Sequence, residues 1–100
     1  MTLEEAEQQL TSQQRIIINP IGENEIVVKK HLPDITEKPY IVFYVKEPKK
    51  PIAFNGGLLG EYSSLEEVKS HLIGLSFASD IDPNKWFVSP EKPRRDITYK

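Results

Sequence analysis

The clearest periodic pattern in the chain is helical and covers residues 65–73. Leu65, Val68 and Leu72 recur at spacings of three and four, so a helix would carry all three on one face. Gly74 follows this stretch, and glycine ends helices readily. The pattern predicts an amphipathic helix over 65–73 that packs its apolar face against another layer.

Ser64 and Thr2 each stand three positions before a glutamate, which is the spacing of a capping box. Ser64 with Glu67 predicts that the helix begins after Ser64 and that the Glu67 carboxylate accepts from the Ser64 N–H. Thr2 with Glu5 predicts a second helix near the N-terminus, over about 2–14. The apolar stripe of this N-terminal helix is thin and consists of Leu3, Ala6 and Leu10.

A helix with so thin a stripe needs tertiary contacts to stay folded, because short helices are marginal alone. Residues 1–14 are therefore interpreted as an N-terminal helix with three alternatives. It is lightly docked on the rest of the chain, it is an assembly arm that pairs with another chain, or it frays.

Runs of β-branched and aromatic residues predict strands between the two helices. The strongest run is YIVFYV at 40–45, whose unbroken apolar character is typical of a central strand covered on both faces. Shorter runs at 15–18, 25–30 and 52–54 predict neighbouring strands. Pro20 is expected to end the first of these, because proline cannot donate to a ladder. Two further segments are candidates for a last or an edge strand: 58–59 and 85–88.

These elements predict an α+β fold, with a mostly antiparallel sheet of three to five strands and the helix 65–73 packed on one face. The length of 100 residues suits one domain. We assign that domain to residues 15–89, after the N-terminal helix at 1–14 and before an extended basic tail at 90–100.

Composition limits the chemistry that the chain can carry. It contains no cysteine, which excludes disulfides, thiol nucleophiles and cysteine zinc sites and fits a reducing compartment. The N-terminal segment is acidic and lacks the basic and apolar parts of a signal peptide. No apolar run approaches the ~20 residues of a membrane span. We therefore expect a soluble, cytoplasmic protein without a membrane partner.

No set of residues has the spacing of a catalytic, cofactor or metal site. The histidines are His31 and His71, and the carboxylate nearest to His71 at helical spacing is Glu67, which the capping box already uses. The glycines before Gly60 lack the spacing of a phosphate-binding loop. We therefore expect no enzyme activity, no cofactor and no bound metal.

Basic residues cluster in two places, although the net charge of −2 provides no overall field that attracts nucleic acid. One cluster lies in the loop 46–51 and the other in the tail 92–100. Together with Trp86 and other aromatic side chains, if exposed for stacking, they would form a nucleic-acid-binding surface. The plainer interpretation is that these lysines keep a hairpin tip and a tail soluble. The candidate contacts to nucleic acid or a partner are Lys46, Lys49, Lys50, Trp86, Lys92, Arg94 and Arg95.

The expected function follows mostly from the missing chemistry. We expect a small non-enzymatic binding or accessory protein of a bacterium or its phage. It would act through protein–protein contacts, including self-association as a homodimer, and the first helix and the tail are the segments expected to make them. The alternative is a nucleic-acid-binding module that uses the loop 46–51, the tail 92–100 and exposed aromatic side chains.

Overall fold

The structure is a computed structural model in which residues 1–13, 15–21, 24–31, 37–46, 57–75, 81 and 85–89 are described. The described residues form two helices and four strands. Their order is α1 (Leu3–Gln13), β1 (Arg15–Ile21), β2 (Asn24–Lys30), β3 (Tyr40–Val45), β4 (Gly57–Tyr62) and α2 (Leu65–Ile73). The prediction of an α+β fold is confirmed, and α2 has the bounds that its periodic pattern indicated.

The four strands form one antiparallel sheet in the order β1-β2-β3-β4. Each strand pairs with the next along the chain, so the sheet is a meander, and within the described residues β1 and β4 are its edges. β3 lies inside the sheet, as its apolar run predicts. Every residue of β3 except Tyr44 is buried.

β1 continues past the point at which the sequence predicts its end. Pro20 pairs with Glu25 and the ladder reaches Ile21, so the strand runs through the proline. Proline is tolerated there because β1 is an edge strand, where one side of the backbone needs no ladder bond. The register also shifts by one residue between Ile17 and Asn19, which is a β-bulge.

The described strand beside β3 is longer than the segment 58–59 that the sequence indicates. β4 pairs with β3 over Gly57–Tyr62. Its two glycines have low strand propensity, which is why the local pattern is weak. The predicted strand at 52–54 lies outside the described residues. In the predicted edge strand at 85–88, the structure has an isolated antiparallel bridge between Val88 and Ile17.

Both helices lie on the same face of the sheet, which we call the helix face, and bury one large apolar cluster there. α2 contributes Leu65, Val68 and Leu72, the stripe that the sequence predicts. α1 contributes Ala6 and Leu10, both fully buried. The strands contribute mainly Ile16, Ile18, Ile26, Val28, Tyr40, Val42 and Tyr62.

Polar contacts join α1 to the rest of the domain at two points. The Met1 amino group donates to the Trp86 carbonyl oxygen over 3.1 Å. The Glu7 carboxylate accepts from Lys30 Nζ over 2.8 Å and from the Tyr40 hydroxyl. These contacts and the buried stripe make α1 a part of the single helix-face cluster. An additional role of α1 as an assembly arm stays a prediction.

The opposite face of the sheet, which we call the far face, carries a second and smaller apolar cluster. Val27, Ile41, Phe43 and Val45 belong to it, and each is 5% exposed or less. β2 and β3 are therefore buried on both faces. β4 differs, because Leu58 is 52% exposed.

Both predicted capping boxes form, one of them with a changed partner. In α1, Glu5 N–H donates to Thr2 Oγ1 and Thr2 N–H donates to Glu5 Oε1, both over 3.1 Å. In α2, Glu67 N–H donates to Ser64 Oγ over 3.1 Å, as predicted. The Glu67 carboxylate, however, accepts from the N–H and the hydroxyl of Ser63, one residue earlier than expected.

The neighbours Leu72 and Ile73 provide a matched test of which face of α2 is buried, since Leu72 is fully buried and Ile73 is 62% exposed. Leu72→Ala should lower the free energy of unfolding by about 2–5 kcal/mol, because truncation leaves a cavity. Ile73→Ala should change it by less than about 0.5 kcal/mol. Chemical denaturation of the two variants measures the difference. Equal losses would show that the helix is rotated from this position.

The docking of α1 is tested in the same way with Leu10 and its exposed neighbour Thr11. Leu10→Ala should cost about 2–5 kcal/mol, since the leucine is fully buried in the shared cluster. Thr11→Ala should have an effect of about 0.5 kcal/mol or less. If Leu10→Ala left the denaturation midpoint unchanged, α1 would not be packed on the sheet in solution.

Candidate protein-interaction surface

β4 is more exposed than β2 and β3. Gly57, Leu58 and Glu61 are exposed, Leu59 and Gly60 are half-buried. Within the described part of the chain, β4 pairs on one side only, with β3. The other side of an edge strand presents a row of backbone N–H and C=O groups to which another chain can add.

The ladder with β3 decides which face each side chain of β4 takes. Leu58 and Glu61 stand opposite Phe43 and Ile41, so they belong to the far face. The register shifts by one residue between Val42 and Phe43, which leaves Leu59 as the extra residue of a β-bulge. The remaining residues of β4 belong to the helix face: Gly57, Gly60 and Tyr62, opposite Tyr44, Val42 and Tyr40.

Tyr62 fills the helix face of β4. Its ring lies over Gly60, where a Cβ would come within 2.9 Å of the tyrosine hydroxyl oxygen. On its other side the ring meets His71 of α2 edge-on, with 5.3 Å between the ring centroids. Burial raises the pKa of Tyr62, and the negative charge of Glu67 raises it further. Tyr62 is therefore a neutral aromatic anchor that fastens β4 to α2.

The side of α2 next to β4 carries Glu67 and His71, one helical turn apart and both exposed. Lys69 marks the opposite side, because its Nζ lies 5.9 Å from the centroid of the Trp86 ring. Hydrogen bonds from Ser63 hold the pKa of the Glu67 carboxyl below its usual value, and nearby positive charge acts in the same direction. At neutral pH this side of α2 is negative in its first half.

A second polar cluster, formed by Glu7, Lys30 and Tyr40, lies between α1 and the sheet. Lys30 is only 7% exposed, pairs with Glu7 and lies 5.4 Å from the centroid of the Tyr40 ring. Burial raises the pKa of Glu7, but the hydrogen bonds from Lys30 and Tyr40 outweigh it and lower the pKa. Lys30 and Tyr40 of the sheet both bond to Glu7 of α1, so the cluster docks α1 on the sheet.

The structure describes two of the seven residues that the sequence predicts as nucleic-acid or partner contacts. Lys46 is exposed and directly follows β3. Trp86 is 8% exposed and packs in the helix-face cluster beside Phe87, with 6.2 Å between the ring centroids. The exposure that base stacking would require is therefore absent at Trp86. The others lie outside the described residues, as does the tail 90–100: Lys49, Lys50, Lys92, Arg94 and Arg95.

The β4 edge was absent from the predicted contacts, because an edge strand is defined by the order of strands in the sheet. That order depends on contacts distant in sequence, and the pattern along the chain leaves it open. The available signal was local: two adjacent leucines, Leu58 and Leu59, stand between glycines, where few neighbouring side chains can cover them.

No protein-family model matches the chain, and no curated protein or solved structure matches it significantly. Over the described ranges, no group of three or more histidine, aspartate or glutamate side chains is placed to hold a metal ion. In the same ranges, no helix has the length and apolar character that crossing a bilayer requires. Function is therefore inferred from the geometry of this chain alone.

The cluster around Glu7 predicts one tyrosine that titrates late. Burial, with the hydrogen bond to Glu7, raises the pKa of Tyr40 to about 12, against ~10 for a solvated tyrosine. Because the folded-state pKa is the higher one, the stability that it contributes is complete below pH ~10 and is lost as the pH rises through about 12.

Tyrosinate absorbance, followed in a pH titration, measures this prediction. Tyr62 also titrates late, because its pKa is raised as well, so Tyr40→Phe should lose the phase near pH 12 and keep that of Tyr62. In Glu7→Gln the phase of Tyr40 should move to lower pH, because the charge that disfavours the phenolate is gone. If Tyr40→Phe kept the same late absorbance amplitude as the wild type, the phase near pH 12 would belong to another residue.

Proposed function

We propose that this chain is a small non-enzymatic binding or accessory protein that acts through protein–protein contacts at the edge strand β4. One observation supports the proposal above the others. Leu58 is 52% exposed on β4, whereas Val27 and Phe43, on the same face of β2 and β3, are 5% exposed or less. An exposed strand edge that carries an apolar side chain is suited to the addition of another strand.

The surroundings of β4 support this proposal, because they hold the edge in one conformation. On one side β4 pairs with β3, which is buried on both faces. On the helix face Tyr62 fastens the strand to His71 of α2. A surface that is ordered before binding loses less conformational entropy when a partner adds to it.

Many monomeric proteins protect their sheet edges with charges and bulges, and β4 has one of each. Glu61 provides the charge, and the extra residue Leu59 provides the bulge. Leu58 has the opposite effect, because an exposed leucine on an edge strand favours pairing with another strand. This side chain is what distinguishes a binding edge from a merely protected one.

We propose that the protein acts in the cytoplasm, because its cysteine-free composition suits a reducing compartment. Nucleic-acid binding is the less favoured alternative. Among the described residues it is supported by the exposed Lys46, whereas Trp86 is buried and cannot stack on a base.

Leu58→Glu should remove partner binding, because it places a charge on the apolar contact of the edge. Immobilised wild type and variant serve as baits in an extract of the native host. Ser70→Glu is the matched control, since it adds the same charge at an exposed position of α2 away from β4. The wild type and Ser70→Glu should retain the same partner, and Leu58→Glu should retain about tenfold less, a difference of about 1.4 kcal/mol.

Two results would contradict the proposal. One is a partner that all three baits retain equally, which would place the contact elsewhere on the molecule. The other is a wild-type bait that retains neither another protein nor an untagged copy of this chain. Circular dichroism of Leu58→Glu confirms that any loss is not due to unfolding.

A further inference from the structure

We propose that the occupant of the β4 edge is a second copy of this chain, paired antiparallel through β4 about a twofold axis between Leu59 and Gly60. The inference rests on the proposed function, because it names the partner of the same edge. In such a homodimer the two four-stranded sheets would join into one continuous sheet.

The bulge in β4 is what makes the strand complementary to its own copy. In an antiparallel pair, residues directly opposite each other point to the same face. A six-residue strand with regular alternation cannot pair end to end with its copy, because its first and last residues point to opposite faces.

β4 departs from regular alternation at Leu59, and this removes the mismatch in face between its first and last residues. Gly57 and Tyr62, its first and last residues, both belong to the helix face, and Leu58 and Glu61 both belong to the far face. The order of faces is therefore the same when β4 is read from either end. A twofold axis through the centre of the strand requires this property.

The register about this axis also gives favourable neighbours. Leu58 of one copy stands opposite Glu61 of the other, so the exposed leucine is covered by the methylene groups of the glutamate, and this contact occurs twice. If the axis lay on Glu61 instead, two like charges would face each other, which is unfavourable. If it lay on Leu58, fewer residues of the two strands would overlap.

The helix layer fits the same arrangement. α2 contacts both β3 and β4, so its axis lies above the space between them. Because adjacent strands are ~4.8 Å apart, the axis of α2 would lie about 5 Å from the twofold axis, measured across the sheet. The last turns of the two α2 helices, which lie nearest the axis, would then pass about 10 Å apart, a normal packing distance for helices.

The last turn of α2 is the part of the helix nearest the twofold axis. Glu67 is held by Ser63, which lies three residues beyond Gly60 and about 10 Å from the axis. His71 packs on the Tyr62 ring, which lies over Gly60 beside the axis. His71 of one copy therefore faces His71 of the other, and Glu67 lies away from this contact.

Introduced cysteines test the register directly, because the chain has none of its own. In the double variant Leu58→Cys with Glu61→Cys, each thiol faces the complementary thiol of the partner, so mild oxidation should give a covalent dimer. The two positions stand opposite Phe43 and Ile41, which are two residues and about 7 Å apart along β3. A disulfide within one chain lies at the ~7 Å limit of its span, and non-reducing electrophoresis distinguishes that product from the covalent dimer by mass.

The matched controls are Leu58→Cys alone, Glu61→Cys alone and Ser70→Cys, which reports random collision. Each control should cross-link at least about tenfold more slowly than the double variant, since no thiol in them faces its own copy. Single variants that cross-link as fast as the double variant would overturn the register and the axis.

Light scattering over a dilution series tests the dimer without cross-linking. The wild type should pass from dimer to monomer on dilution. His71→Glu should raise the dissociation constant about tenfold or more, because it places two like charges opposite each other across the twofold axis. Ser70→Glu, with the same added charge on the outer side of α2, should leave the constant unchanged, and thermal melts verify that both variants fold.

The outcomes separate this inference from the proposed function. A chain that is monomeric at every concentration, without rapid cross-linking of the double variant, overturns the homodimer. If the bait experiment still retains another protein in a Leu58-dependent way, the proposed function stands and only the identity of the partner is wrong. If the bait also retains nothing, both are overturned.

Discussion

The burial of β3 on both faces is the constraint on which the rest of the structure depends. Its side chains alternate between two apolar clusters, with Val42 in the helix-face cluster and Ile41 and Phe43 in the far-face cluster. A strand covered in this way must have a partner on each side for its backbone groups. β2 and β4 are those partners in the described sheet. The position of β4 at the edge follows from the meander, because the chain leaves the sheet for α2 directly after it.

The helix layer combines apolar packing with the part-buried charge pair between Glu7 and Lys30. The apolar stripe of α1 is too thin to fix the position of the helix on the sheet. The ion pair between Glu7 and Lys30 helps to fix that position. Burying a lysine is unfavourable unless its charge is paired. Lys30 therefore selects the arrangement in which Glu7 lies above it. In this way the polar residue of β2 determines where an otherwise weakly specified helix docks.

The features that the sequence predicted are those that depend on neighbours along the chain. The stripe of α2 and the cap at Ser64 are set within two helical turns, and the run at Tyr40–Val45 is explicit in six consecutive residues. Features that depend on distant contacts were missed or left open. Pro20 lies inside a strand because that strand is at an edge. The burial of Trp86, which the sequence left open, depends on the helix layer that covers it. The candidate surface belongs to this second class, since its exposure follows from the strand order.

The two edges of the sheet differ in a way that limits growth. Beyond β1, Ile17 already bridges to Val88, and Pro20 withholds a donor from any incoming strand. Among the described residues, the β4 margin carries neither a bridge nor a proline. If copies join through β4 as proposed, the sheet stops after a single addition, because each joined sheet ends at β1. Pro20 would then act as a terminator that keeps association finite and prevents polymerisation into fibres.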